Sequence, residues 1–383
     1  MKVLVTGGAG FIGSHTVDAL LAKGHDVRVL DGFVEPVHAA GHRSVLPPGV
    51  EVVTGDVRDK HQWQHALAGV EVVFHLAAYQ DYLPDFSTFF AVNSAGTALL
   101  YEVVVERRLS VRRVIVASSQ AVYGEGRYQC PDPACARSAV ERDHFPDIRS
   151  EAQLARGVWD HTCPECGEVL RPRLTDERTV NPRNQYAISK YTQELIALTL
   201  GKRYGVPTAV ARYSITQGPR QSFRNAYSGV CRLFCTSYLV GRRPRIYEDG
   251  GQLRDFVNIE DVVSANLLLM EHPDAVGEVF NVGGGRGYTV REFAEIVRHA
   301  IGTEMAPEVR GEYRFGDTRH IVSDIRKLQA LGWTPRHPPE KSVRDYVAWI
   351  RTQAGLDGVL DHAERTMVAR GVLRRVAAGR ATG

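Results

Sequence analysis

No run of about 18 consecutive apolar residues occurs in the 383-residue chain, so the sequence offers no obvious membrane span. The opening MKVLVTGGAG lacks the apolar core of a signal peptide and runs directly into glycines. Charge of one sign is also scarce. The 47 Lys and Arg against 44 Asp and Glu leave a formal +3, too little at this length to make nucleic acid or a membrane surface the expected partner. The expected setting is cytoplasmic, and there six cysteines point to packing or metal rather than disulfides. What remains, 44% hydrophobic and 24% charged, is ordinary globular composition. It is enough chain for two or three domains, or for one large α/β unit with appended pieces.

The stretch KVLVTGGAGFIGS is a short β-branched run followed by glycines, and the amphipathic HTVDALLAKG after it can be closed by Gly24. Gly7, Gly10 and Gly13 recur at every third position, and Gly8, Gly10 and Gly13 also satisfy G-x-G-x-x-G. Glycines let a backbone turn sharply and approach a pyrophosphate, whose charge suits a helix N-terminus. The next strand, DVRVLDG, brings Asp31 to where a carboxylate can accept from both adenine-ribose hydroxyls and would repel a 2′-phosphate, which favours NAD over NADP. Further apolar runs, VEVVTGD, VEVVFHLAA and VRRVIVASS, alternate with helix-like stretches such as NSAGTALLYEVVVERR. That alternation predicts a doubly wound parallel sheet. Asp56 and the Ala77–Ala78 turn fall at C-terminal strand ends, where such sheets bind ligands, while Asn93 either starts a helix or serves the site.

NQYAISKYTQE places Tyr186 and Lys190 four apart on one helix face. A tyrosine at its ordinary pKa of about 10 is no base, but a nearby ammonium and a cationic nicotinamide ring favour the phenolate. VIVASSQAVYG sets Ser118 and Ser119 just past a strand, and Ser119 can hydrogen-bond the hydroxyl that Tyr186 deprotonates.

On these residues the chain resembles an extended short-chain dehydrogenase/reductase of the NAD-dependent epimerase/dehydratase family. The matching pieces TGGAGFIGS, LDG, HLAA, ASSQAVYG, YAISK, RYSITQGPRQ, RDFVNIEDVV, FNVGGG and RFGDTRHIVSDIRKLQALGWTP stand in family order over residues 1 to about 350. The resemblance implies an NAD-binding Rossmann domain over 1–213, a smaller α/β nucleotide-sugar domain over 214–350, a helical tail over 351–383, and a homodimer. It implies NAD contacts at Gly7, Gly10, Phe11, Ile12, Gly13, Asp31, Asp56, Val57, Leu76, Ala77, Ala78, Asn93 and Ser118, together with Tyr186 and Lys190. A dTDP- or UDP-linked sugar would meet Ser119, Gln120, Tyr213, Arg254 and Arg314, the arginines near its diphosphate.

Dehydratases of this family resemble STDEVYG, and UDP-glucuronate decarboxylases TSEVYG. Here SSQAVYG puts Gln120 and Ala121 in place of the acid and base, and neither moves a proton at pH 7. The expected outcome is therefore 4-epimerisation through a transient 4-keto sugar. A nucleotide-sugar oxidoreductase, dehydratase or decarboxylase, or a non-catalytic NAD-binding regulator, are the alternatives. SSQAVYGEGRY followed by cysteines resembles dTDP-L-rhamnose 4-epimerases more than UDP-galactose 4-epimerases. Many epimerases read RYFNVYGPRQ, whereas Ile215 here stands in place of the asparagine.

Residues 127–174 interrupt the first domain with Pro, Arg and Asp and little apolar periodicity, too few to bury a core of their own. Cys130 and Cys135 with Cys163 and Cys166 could hold a structural zinc in a zinc-ribbon-like insertion with no open coordination position. His144 and His161 could substitute as ligands but read first as exposed loop residues, and Cys231 and Cys235 read as packing on an apolar helix. The basic tail AERTMVARGVLRRVAAGRATG reads as a solvated helix with a frayed end, or as an oligomer contact.

Overall fold

The computed structural model describes residues 1–35, 37–38, 46–81, 83–135, 143–224, 229–356 and 358–376. The stretch 136–142 of the expected insertion, and residues 357 and 377–383 of the expected tail, lie outside the described residues.

Seven strands form one parallel sheet: β1 (Lys2–Thr6), β2 (Asp26–Asp31), β3 (Glu51–Thr54), β4 (Val72–His75), β5 (Arg113–Ser119), β6 (Thr208–Tyr213) and β7 (Val279–Val282). Their order is β7-β6-β5-β4-β1-β2-β3. Alternate residues of each strand feed opposite cores, as the two-residue strand period requires. Val3 and Val5 pack with Val29, Phe74 and Ile115 under the helices Phe11–Ala22 and Ile259–Glu271. Leu4 packs on the other face with Leu30, Val73 and Val114, under Gly96–Glu106 and Gln185–Tyr204. The order reverses between β1 and β4, which opens the ligand crevice at their C-terminal ends.

The expected boundary at 213 is not clean. β7 completes the main sheet from within the second domain, pairing Val282 with Tyr213. The Ile259–Glu271 helix packs on the first helix, and Asn266 Nδ2 donates to Thr16 Oγ1 at 3.3 Å. An exposed β6 edge would leave a row of unpaired backbone groups, and the returning strand covers it.

The second domain has a three-stranded sheet of Ile215–Gln217, Leu253–Asn258 and Gly287–Thr289, packed by helices Val230–Leu239, Val290–Ile301 and Pro339–Ile350. Cys231 and Cys235 are buried in that core as packing residues. The cysteine segment forms its own antiparallel sheet, Tyr128–Gln129 flanked by Asp143–His144 and Arg171–Pro172. The tail is more than a solvated helix. Helix Val359–Ala369 is followed by strand Leu373–Arg375, which pairs antiparallel with Glu312–Arg314. By length and composition the helical stretch Phe86–Glu106 could cross a membrane, and its buried face packs on the sheet helices instead.

Candidate active site

After β1 the chain turns at Gly7, whose φ of +66° suits glycine, and Gly7 N donates to Leu30 O at 2.8 Å. A Cβ on Gly13 would lie 2.1 Å from Gly7 O, so the helix can start this close to the turn only with glycine there. Gly10 caps the helix without a side-chain bond, leaving the N–H groups of the first turn at Phe11 and Ile12 directed out of the helix end. A Cβ on Gly7 would meet Ala77 Cα at 2.9 Å, so the turns after β1 and β4 are in contact and bring Leu76, Ala77 and Ala78 beside the glycines. Asp31 ends β2, accepting from Ala9 N at 2.9 Å on Oδ2 and from Phe33 N at 2.9 Å on Oδ1, with His38 Nε2 3.6 Å from Oδ1. Asp56 and Val57 follow β3. Asp56 is clasped by Arg58 (Nε to Oδ1 and Oδ2, both 3.0 Å), a pairing that holds its carboxyl below the usual range.

His75, the last residue of β4, was not singled out by its place in VEVVFHLAA, though a histidine within an apolar run is a visible signal. It is fully buried between Thr6 Oγ1 (2.8 Å) and Thr97 Oγ1 (2.9 Å). Thr97 gives its single proton to Asn93 O at 2.7 Å, so His75 Nε2 must donate to Thr97 and Nδ1 must accept from Thr6. Burial, with the Lys190 ammonium nearby, lowers the imidazole to about 3 and keeps it neutral. Thr6 Oγ1 in turn accepts from Ala77 N at 3.2 Å, and Gln193 Nε2 donates to Thr97 Oγ1 at 2.9 Å. Gln193 Oε1 accepts from Lys190 Nζ, completing a hydrogen-bond chain from the end of β1 to the tyrosine helix.

That helix, Gln185–Tyr204, starts at Asn184, whose Oδ1 accepts from Ala187 N at 2.8 Å, and ends at Gly205 in the left-handed region. It packs on β5 and on the short turn Gln120–Tyr123, which brings the half-buried Tyr186 and the fully buried Lys190 to the serine strand. Burial lowers the Lys190 ammonium to about 7. Ser119 caps the turn, its Oγ accepting from Ala121 N at 3.2 Å, and Gln120 Oε1 is buried with no partner among the described residues. Asn93 starts no helix, because the helical stretch begins at Phe86. It lies in a π-helical turn (Phe90–Ala95), a common mark of functional sites, accepts from Tyr79 N at 2.8 Å and donates to Ser189 Oγ at 2.9 Å.

Two expected residues point elsewhere. Ser118 Oγ donates to Glu194, which Arg212 grips bidentately at 2.8 and 2.7 Å, because alternation on β5 sends Ser118 to the face opposite Ser119. Tyr213 donates to Asn266 Oδ1 at 2.6 Å in the core, and burial raises its phenol far above the ordinary range. The arginines of the second domain do come together. Arg254 donates to the carbonyls of Leu253 (2.9 Å), Thr318 (2.7 Å) and Arg319 (3.1 Å), and burial lowers its pKa against the pull of the nearby Asp317 and Glu248 carboxylates. Arg314 Nε donates to Asp317 Oδ2 at 2.8 Å and its guanidinium stacks over Tyr247 at 5.2 Å.

The four insertion sulfurs all lie within 4.8 Å of one another, with Cys130–Cys166 at 3.5 Å and Cys135–Cys163 at 3.4 Å. These are far beyond a disulfide bond of about 2.05 Å and near the roughly 3.8 Å between ligands on a tetrahedron with ~2.3 Å zinc–sulfur bonds. Neither nearby histidine is an exposed loop residue. His144 Nε2 stands 3.7 Å from Cys163 Sγ, and His161 is buried 3.3 Å from Glu125.

A switch-point crevice with a glycine cradle, and a serine strand packed on a Tyr-x-x-x-Lys helix, define a Rossmann-type dinucleotide enzyme. The sequence pattern of the NAD dependent epimerase/dehydratase family matches residues 3–146 and 155–283, and the chain belongs to that family. It is 32% identical over 357 residues to a dTDP-L-rhamnose 4-epimerase of Burkholderia thailandensis, covering 91% of this chain and 94% of the relative. A UDP-glucose 4-epimerase of Thermotoga maritima with UDP-glucose superposes with a TM-score of 0.73 at 28% identity, over 92% of this chain and 99% of that one. The Thermus thermophilus UDP-glucose 4-epimerase complexed with NAD gives 0.69 at 30% identity, over 92% and 100%.

Proposed function

We propose that the protein is an NAD-dependent nucleotide-diphosphate-sugar 4-epimerase acting on a dTDP- or UDP-linked sugar. The carrying observation is the packing of the Tyr186–Lys190 helix on the Ser119 strand, with Gln120 and Ala121, not an acid and a base, in the turn beside it. The glycine cradle, the uncapped helix N-terminus and Asp31 fit NAD; when bound, it supplies a hydride acceptor and donor at sugar C4. Tyr186 Oη takes the proton of the C4 hydroxyl and later returns it. Ser119 Oγ orients that hydroxyl and then donates to the ketone oxygen. Lys190, anchored by Gln193, holds the nicotinamide ribose and favours the phenolate. Arg254 and Arg314 take the diphosphate, and turnover of the ketone in the pocket exposes its other face. With neither acid nor base at 120 and 121, elimination of water and decarboxylation have no proton carrier there.

The four thiolates fit one structural zinc with no open position, which favours a reducing, cytoplasmic setting. Ile188 and Leu195, exposed two turns apart on one face of the tyrosine helix, support a homodimer through that face.

Incubation with a panel of UDP- and dTDP-sugars in deuterated water, followed by NMR, tests the reading. Epimers at C4 without solvent deuterium at C3 or C5 are expected; incorporation there, or a net oxidised product, overturns it.

A further inference from the structure

The cysteine segment and the C-terminal tail converge on one short stretch, residues 312–320. Arg149 of the cysteine segment is buried and forks onto Glu248, Nη1 to Oε2 at 2.8 Å and Nη2 to Oε1 at 2.9 Å. The same Nη2 donates to Asp317 O at 2.7 Å. Asp160 accepts from Arg319 Nε at 2.8 Å, and Tyr128 Oη accepts from His320 N at 3.1 Å. On the other side the tail strand places Leu373 opposite Arg314, and Phe315 N donates to Val372 O at 3.0 Å. Arg374 pairs with Glu151, so tail and cysteine segment also grip each other.

The stretch held this way carries one candidate diphosphate arginine and braces the other. Asp317 binds Arg314 through its carboxylate, and the carbonyls of Thr318 and Arg319 bind Arg254. Three successive carbonyls, 317 to 319, are therefore oriented by two guanidinium groups, Arg149 on the first and Arg254 on the next two. A guanidinium is a rigid fork, so fixing the first peptide plane limits how the following ones present themselves.

We propose that Arg149 is a positioning residue for the diphosphate end of the substrate, acting through the Asp317 turn on Arg314 and Arg254. The proposal rests on the nucleotide-sugar reading above and extends it, because it makes the cysteine segment part of substrate recognition. A lysine at 149 keeps the charge but cannot reach both Glu248 oxygens and the Asp317 carbonyl in one plane.

Titration calorimetry of UDP and dTDP into the NAD-loaded protein tests it. Arg149→Lys is expected to weaken the nucleotide that binds about tenfold, with NAD content unchanged. In an Arg314→Ala background the same substitution is expected to weaken it less, by about threefold, since one of the two groups it positions is gone and only Arg254 remains. A general loss of structure would act equally in both backgrounds. Unchanged affinity in Arg149→Lys, or equal losses in both backgrounds, overturns the proposal. Should Arg149→Lys not fold, Asp160→Asn alters a half-exposed carboxylate of the same seam, and unchanged affinity there overturns it too. If the wild-type protein binds neither nucleotide, the nucleotide-sugar reading itself falls.

Discussion

Asn93 and Ser189 are joined by a hydrogen bond of 2.9 Å from the Asn93 amide to the serine hydroxyl, and Ser189 lies one turn past Tyr186. The other end of the same amide holds the backbone of Tyr79, its Oδ1 accepting from N at 2.8 Å while Nδ2 also donates to O at 3.0 Å. One buried side chain thus ties the loop after β4 to the helix of the candidate base. Asn93→Ala removes three hydrogen bonds, a buried one to Ser189 and two half-buried ones to the Tyr79 backbone, and a loss of about 1–3 kcal/mol of stability is expected by denaturant unfolding. NAD retained through purification should fall with it. Full stability and full NAD content would show that the tie carries no weight.

Tyr186→Phe removes only the oxygen assigned to move the proton. Turnover should drop by about 10²–10⁴-fold, the range for a lost general base. NAD content and nucleotide affinity should stay within about twofold, because a single hydroxyl leaves from among many expected contacts. Substantial remaining activity would move the base elsewhere.

As candidates for the site, Tyr186, Lys190, Ser119 and the glycines are legible in the sequence because each belongs to a short, locally spaced motif. Residues that act through long-range packing are not. His75, Gln193 and the Glu194–Arg212 pair meet partners 18 to 96 positions away, and no local pattern announces such meetings. Tyr213 looked like a site residue because it sits in a family motif at the end of β6, yet strand alternation turns its ring into the core. The cysteine spacing foretold the cluster. It could not foretell that Arg149 and Asp160 of the same segment reach Glu248 and Arg319, about 100 and 159 positions further on.

Tyr213→Phe separates motif membership from function. Removing the hydroxyl breaks its bond to Asn266 in the core and is expected to cost about 1 kcal/mol by denaturant unfolding. KM and kcat for the accepted sugar should not move. A raised KM would return Tyr213 to the substrate site.

Elemental analysis of the purified protein should find about one zinc per chain, the stoichiometry of a single four-sulfur site. Cys163→Ser is expected to abolish it and to lower the melting temperature, because Tyr128, Cys130, Cys163 and Leu170 have little other core to share. Metal-free protein of unchanged stability, with four freely titrating thiols, would remove zinc from the account.

Lys190 gives the pH dependence. Burial lowers its ammonium to about 7 in the folded chain, against an ordinary value of about 10.4 when unfolded. Between those values the unfolded chain binds the extra proton, so this residue makes stability rise with pH across the window. Below about 7 both states are protonated and the contribution is flat, at its least favourable. In NAD-free protein the slope can reach at most about 1.4 kcal/mol per pH unit. Denaturant unfolding of wild type and Lys190→Met at pH 6, 7, 8 and 9 isolates it, since the variant cannot titrate at that position while the other groups are shared. The stability of wild type relative to the variant should be level from pH 6 to 7 and then climb. A difference that stays flat to pH 9 would mean that Lys190 keeps its ordinary pKa, and that the ammonium beside Tyr186 is charged throughout the working range.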